Sequence, residues 1–374
     1  MDRARLFLLS LFACLGTSIV HPQSTGQRPP LFGSDAALTI QLQGPFLALT
    51  QQNPGTSVWL DATLKFINSD GAGRSLDVEI QARSRSRALG ENCEFPSFWV
   101  RFDRAQTAGT IFENIDRVAL VAPCQDSRAA LDRFIFREYL AYRTYGMLTP
   151  ASFRVRPAMV DYVYTDKSSQ LTDRPAFFLE DDEALAQRLG GTLVDSTIVL
   201  PEFLDPAALN LAEVFQYMIG NTDFDFTAGT DSCCQGARVV AFASREGTFI
   251  PVPYDFGMSG LVEAPNARPD PRAGVTRVTD RAYRGLDTQP EVVGQTLALI
   301  RARQDEIVTL WSTTPLLKER DRRDSLRFLQ EFFRELDKPE ALAARLVERS
   351  RSREAVRAIL QHRHKDAFDA WKKN

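Results

Sequence analysis

The sequence predicts an α+β protein of two lobes, a β-rich first lobe and a mixed, mainly helical second one. Three observations predict it. Apolar residues alternate at period two from Ala37 to about Phe102, the period lengthens to a helical one over 126–148, and the last part of the chain is a run of amphipathic helices. With 374 residues, 44% of them hydrophobic and 25% charged, the chain has a globular composition and length enough for one large or two modest domains.

Taken in order, the elements begin with an export signal over residues 1–22. Arg3 and Arg5 precede the apolar run Leu6–Leu15, which continues to Val20 and is too short and mixed for a spanning helix. Leu11-Phe-Ala-Cys14 resembles a lipobox, but Phe12 fits it poorly, so lipid anchoring at Cys14 is not favoured. No later stretch approaches the about 18 apolar residues a membrane helix needs. The expected location is therefore the periplasm, cell surface or extracellular space, with no transmembrane span.

A linker over 23–34, rich in Pro, Gly, Gln and Ser, leads into the β-rich lobe at 35–125. Its strands are read at Leu38–Leu42, Val58–Leu60, Ala62–Phe66, Leu76–Ile80 and Phe98–Phe102, separated by turns such as Asp70-Gly-Ala-Gly73. An antiparallel sheet with one wet face is the expectation. The second lobe spans 126–312. It holds the helix at 126–148, strands at Arg154–Tyr164 and Ala176–Leu179, a helix at Ala207–Ile219, short strands at Arg238–Phe242 and Phe249–Pro253, and a helix at 290–311. A helical extension over 313–374 closes the chain, with helices at 315–337, 339–349 and 353–371.

Charge and side-chain inventory exclude several functions. The chain carries 45 Lys/Arg and 48 Asp/Glu, a net of −3, so no overall basic field exists for nucleic acid. Residues 313–374 run locally basic, with 16 Lys/Arg against 11 Asp/Glu. The only histidines are His21, His362 and His364, which nearly excludes a Ser-His-Asp triad, a Cys-His protease and an H-E-x-x-H zinc site. Chemistry here must run on carboxylates, Lys/Arg, hydroxyls or a hard metal. Beyond Cys14 there are four cysteines, Cys93, Cys124, Cys233 and Cys234. An even number in an exported chain points to disulfides, with Cys233 and Cys234 each joining one of the other two; zinc is disfavoured because C-C lacks the usual two-residue spacing.

Two segments carry candidate chemistry. Phe215-Gln-Tyr-Met-Ile-Gly-Asn-Thr-Asp223 ends a helix and places Asp223 just after a Gly-Asn stop. Phe249-Ile-Pro-Val-Pro-Tyr-Asp-Phe-Gly257 places Asp255 at the exit of a short apolar strand, before a glycine that permits a tight turn. Phosphoryl transfer needs two such carboxylates, one to orient the attacking hydroxyl and one to hold magnesium against the phosphates. On spacing alone, plain turn residues are the commoner reading of both. Arg83, Arg85, Arg87, Arg101 and Arg104 sit on or beside two neighbouring strands, where they clamp phosphate oxygens or, as the residues alone favour, form a solvated face protecting the sheet.

These segments resemble the CotH family of exported atypical kinases. The matching residues are Gly220-Asn-Thr-Asp223 and Pro253-Tyr-Asp-Phe-Gly257, with Ile80-Gln-Ala-Arg-Ser-Arg-Ser-Arg87, Phe98-Trp-Val-Arg-Phe102, Phe136-Arg-Glu-Tyr-Leu140 and Phe178-Leu-Glu180 upstream. The resemblance implies a two-lobe protein-kinase-like fold, ATP and Mg2+ as cofactors, and an exported protein substrate. It implies Asp223 as the hydroxyl-orienting base, Asp255 as a magnesium ligand, Arg101 as the phosphate-clamping cation, and Glu138 and Glu180 as its supports. The sequence departs from the family at Gly257, where a second acid is usual, at Ser84, where glycine is usual, and at Gln235-Gly236, where the nearest branch carries His-Asn. Gln235, Asp225 and Asp231 are the oxygen-bearing side chains that compensate. The competing expectation is a catalytically inactive kinase-like envelope or extracellular binding protein; a carbohydrate hydrolase with paired carboxylates ranks third.

Overall fold

In the computed structural model the described residues are 28–52, 58–83, 95–123, 133–228, 237–241 and 248–371. The architecture follows from how one strand is paired. β1 (Leu38–Gly44) bonds antiparallel to β2 (Leu60–Ile67) along one edge. Along its other edge it bonds in parallel to β6 (Val155–Tyr164), in register from Leu38↔Ala158 to Gly44↔Tyr164. The circuit continues through β3 (Gly73–Ala82), β4 (Phe98–Phe102), β5 (Arg117–Val121) and β7 (Gln170–Leu179), and closes a seven-strand barrel in the order β1-β2-β3-β4-β5-β7-β6.

This corrects the expected two-lobe kinase-like α+β fold. The described residues are 41% helix and 23% strand, and their strands include a closed mixed barrel instead of an open sheet forming one lobe. The physical reason is the β1–β6 ladder: it consumes the free edges that an open sheet would leave to solvent. β6 and β7 follow the long helix in sequence, yet they belong to the barrel wall. Period-two alternation registers the two faces of each strand but says nothing of which distant strand completes the circuit.

Alternation fills the barrel. Ile40, Leu42, Leu64, Phe66, Val78, Ile80, Phe98 and Val100 point inward, joined by Phe46 of the short helix α1 (Phe46–Gln51) and by Phe112. Rings meet edge to face, as in the 5.3 Å approach of Phe46 and Tyr162. Neither α1 nor α2 (Arg104–Thr107) has enough residues to show a helical period.

The second core is built on the outside of the same wall. α3 (Arg133–Leu148) packs across β6 and β7, burying Tyr139, Tyr142 and Tyr145. Residues alternate between the two cores: Leu120 and Phe178 face the barrel interior, Ala119 and Phe177 the helices. After β7 come α4 (Asp182–Arg188), the short β8 (Thr192–Leu193) and α5 (Pro206–Ile219), capped at its start by Asp205. β9 (Ala237–Ala241) and β10 (Phe249–Pro253) complete a three-stranded sheet with β8.

Six helices end the described chain. The helix expected at 290–311 is two, α6 (Pro290–Ala302) and α7 (Gln304–Thr313), broken at Arg303. α8 (Glu319–Leu336) and α9 (Pro339–Glu348) follow, and the helix expected at 353–371 divides at His364 into α10 (Arg353–Arg363) and α11 (Lys365–Trp371). Leu329, Phe332, Phe333 and Leu336 join α8 to the second core. A buried ion pair ties it to α3, with Arg137 3.1 Å from Asp321. Among the described residues, no helix is long and apolar enough to cross a membrane. The segment expected to be an export signal and Cys93, Cys124, Cys233, Cys234 and Gln235 lie outside the described residues.

Candidate functional site

Two backbone bridges bring the helix stop and the strand exit together. α5 ends at Gly220, which takes φ 65° and ψ 33°, the left-handed cap expected of a Gly-Asn stop. The Gly260 N–H donates to the Gly220 carbonyl and the Leu261 N–H to that of Ile219, each at 3.0 Å. Glycine is needed on both sides. A Cβ on Gly220 would stand 2.8 Å from the Phe328 ring, and one on Gly260 only 2.5 Å from the Val278 carbonyl oxygen.

Asp223 and Asp255 flank this junction. The Asp223 N–H donates to Asn221 Oδ1 at 3.0 Å, a local turn that fixes where its side chain leaves the backbone. Its carboxyl is held above the usual carboxylate range, first by burial and then by the charges of Asp255 and Asp270, against the pull of Arg284 and Arg272.

Asp255 takes φ 61°, a left-handed conformation that Asp tolerates better than most residues. α3 clasps its turn at two points. The Tyr142 hydroxyl accepts the Asp255 N–H at 2.8 Å, and the Glu138 carboxyl lies against the turn, its charged form favoured by the N–H groups of Phe256 and Gly257. A Cβ on Gly257 would begin 3.3 Å from Glu138 Oε2. A side chain at Gly257 would need Glu138 to give way by a few tenths of an ångström, while the left-handed pivot expected of the glycine falls to Asp255.

The electrostatics of the turn are those of crowded carboxyls. Burial and then the charge of Asp255 push Glu138 up to about 8, opposed by Arg83. Asp255 touches solvent, yet the protein packed around it raises its carboxyl, again against Arg83. Tyr142 is raised well above the usual phenol value by burial and by both carboxylates, so it stays neutral.

Arg83 is the cation of this group, a place the sequence reading gave to Arg101. Arg83 stands at the end of β3, its N–H donating to the Ser97 carbonyl at 3.0 Å. Its guanidinium lies 4.9 Å from the Trp99 ring centre, and the same indole carries Arg117 at 4.3 Å. Arg101 lies mid-strand opposite Glu79, donates to it from Nε at 2.7 Å, and covers Trp59 at 4.2 Å. The signal that separates the two is position: a strand-end side chain can leave the sheet, whereas a mid-strand one meets its cross-strand partner.

Glu180 is not brought to this group. Its carboxylate is held by Arg188 through two bonds of 2.9 Å and accepts the Arg154 N–H at 3.0 Å, in a buried tie between β7, α4 and the start of β6. Asp225 is occupied as well, accepting from the Thr227 N–H at 2.9 Å and its hydroxyl at 2.7 Å. Asp231 and Gln235 lie outside the described residues, as do Arg85 and Arg87.

The charged side chains that act on one another around this turn are thus Asp223, Asp255, Glu138 and Arg83, contributed by four separate parts of the chain. Asp223 and Asp255 offer hard oxygen donors whose mutual repulsion a divalent cation relieves. Among the described residues, no three or more His, Cys, Asp and Glu side chains gather closely enough to hold a metal by themselves. No family profile matches the chain, and no curated protein sequence matches it.

Proposed function

We propose that this chain is an exported, ATP- and magnesium-dependent phosphotransferase acting on a protein hydroxyl, a divergent relative of the CotH enzymes. One observation carries the reading: the charge of Asp255 raises both Asp223 and Glu138, while Arg83, at the end of β3, opposes the rise at Glu138 and Asp255. A buried or half-buried carboxyl with a raised pKa is suited to take a proton from a hydroxyl, the part given to Asp223. Asp255 supplies an oxygen to magnesium, and Arg83, steadied by Glu138, binds phosphate oxygens. When bound, magnesium neutralises charge on the phosphates being transferred. The net charge of −3 fits a protein substrate better than nucleic acid.

A second reading has one observation in its favour. Gly257 stands where a second acid would complete a magnesium site, and Glu138 occupies the space beside it. On that reading the protein binds a partner outside the cytoplasm without catalysing transfer. Calorimetry of the exported protein with ATP, with and without magnesium, separates the two. Binding that requires magnesium and is lost in Asp255→Asn supports the enzyme; no binding by the wild type overturns it.

A further inference from the structure

The residues that flank Asp223 are both held by one side chain. Arg284, 6% exposed, donates from Nη1 to the Thr222 carbonyl, and its guanidinium carbon lies 5.5 Å from the centre of the Phe224 ring. Its Nη1 is also 3.0 Å from Asp270 Oδ2. Asp270 returns to the same turn, its N–H donating to Thr222 Oγ1 at 2.9 Å. Thr222 is therefore bound at its carbonyl by Arg284 and at its hydroxyl by Asp270, and both clamps lean on each other.

Arg284 is itself braced from two directions. On the α5 side, the Leu286 N–H donates to Glu213 Oε1 at 2.9 Å and Asn210 Nδ2 donates to the Tyr283 hydroxyl at 3.2 Å. From the helical extension, the Arg351 N–H donates to the Gly285 carbonyl at 2.8 Å and its Nε to the Arg284 carbonyl at 2.7 Å. A side chain whose backbone is bonded at and after its own position, and whose preceding neighbour is held by its hydroxyl, has little freedom left to lose.

We propose that Arg284, locked by Asp270, is the positioning residue of Asp223: it fixes the Thr222–Phe224 turn so that the carboxylate meets the substrate hydroxyl. The proposal deepens the phosphotransfer reading and rests on it for its kinetic part. Arg284 touches no reacting atom; it acts through the turn, and its charge also draws the Asp223 carboxyl downward. It also gives the helical extension a part in the site, since Arg351 holds the segment that carries Arg284.

The test uses the mature exported protein and the variants Arg284→Gln and Asp270→Asn, the second a nearly isosteric change that keeps the backbone bond to Thr222. Two readouts are taken: hydrogen exchange of the 220–224 amides, and ATP kinetics with magnesium. In Arg284→Gln the exchange should quicken about tenfold, as loss of a charge-assisted hydrogen bond implies. The kcat should fall about 100-fold, the cost of a displaced catalytic group, with KM for ATP unchanged. Asp270→Asn should move both readouts the same way by less. Unchanged exchange and kcat in folded Arg284→Gln overturn the proposal, as does a rise in KM with kcat intact. A wild type that neither binds nor transfers overturns the phosphotransfer reading instead, and the exchange result then decides alone whether Arg284 holds the turn.

Discussion

The backbone N–H of Asp255 donates to the Tyr142 hydroxyl at 2.8 Å, so a residue in a left-handed turn is anchored by a helix more than a hundred positions earlier. Tyr142 in turn packs its ring 4.6 Å from that of Phe256. The strand exit is thus shaped by α3 as much as by its own sequence.

Asp255→Asn should keep the fold, because Asn is among the few residues that accept φ 61° and the amide bond to Tyr142 is untouched. It should lose magnesium-dependent ATP binding. Asp255→Val should instead lower stability by about 1–2 kcal/mol, the cost of a left-handed residue with a crowded Cβ. Urea unfolding of both variants checks the contrast; equal losses would show that the backbone conformation is not what the aspartate satisfies.

Gly260→Ala should destabilise by about 1–3 kcal/mol, since its methyl would meet the Val278 carbonyl oxygen at 2.5 Å and the Phe328 ring at 3.1 Å. Gly294, in α6, faces open space, so Gly294→Ala should stabilise by up to about 1 kcal/mol. Thermal midpoints moving in opposite directions are the expected result.

Stability should fall with rising pH through Glu213. Burial pushes this carboxyl from 4.5 up to about 8, with the charge of Asp225 adding and the Leu286 N–H, Arg351 and Arg353 opposing; the neighbouring Tyr283 stays neutral, itself raised by burial and by Glu213. Between those two values the folded protein holds a proton that the unfolded chain releases. The contribution is complete below pH 4.5 and disappears as pH rises towards about 8, at no more than about 1.4 kcal/mol per unit. Denaturation midpoints of the wild type and Glu213→Gln across this range should converge at the acid end and separate at the alkaline end, with the variant the flatter of the two.

Glu180→Gln should cost about 3–5 kcal/mol by stranding the buried Arg188 guanidinium. Arg101→Met should change stability by less than about 1 kcal/mol, its pair with Glu79 being half exposed. Calorimetric unfolding distinguishes them. A mild Glu180→Gln together with a lost affinity for ATP would return Glu180 to the ligand-binding role the sequence suggested.

Local features were legible in the sequence where the physics is local. The Gly220 stop, the α5 boundaries and the β10 exit follow from helical period, a left-handed cap and a short apolar run, all written within a few residues. The barrel was not legible, because the β1–β6 ladder joins segments more than a hundred residues apart and leaves no mark on either strand's alternation. Around the site, Asp255 acts by charge on both Asp223 and Glu138, while Arg101 and Glu180 are committed to other partners. Charge type could be read from the chain; which opposite charge each residue would meet could not. Arg284 carried no signal at all, since its importance lies in two backbone groups of a distant turn.

Phe177 and Phe178 are neighbours in sequence and belong to opposite cores, one against α3 and the other inside the barrel. A single layer of backbone is the party wall of two rooms. Cutting the gene between them cannot yield two independent products: a fragment ending before β6 would lack the strands that seal the barrel, and one beginning there would carry that wall with its inner side bare. Any experiment that seeks the chemistry in half of this protein should therefore recover an aggregate, and the smallest useful piece is one that keeps β1 and β6 on the same chain.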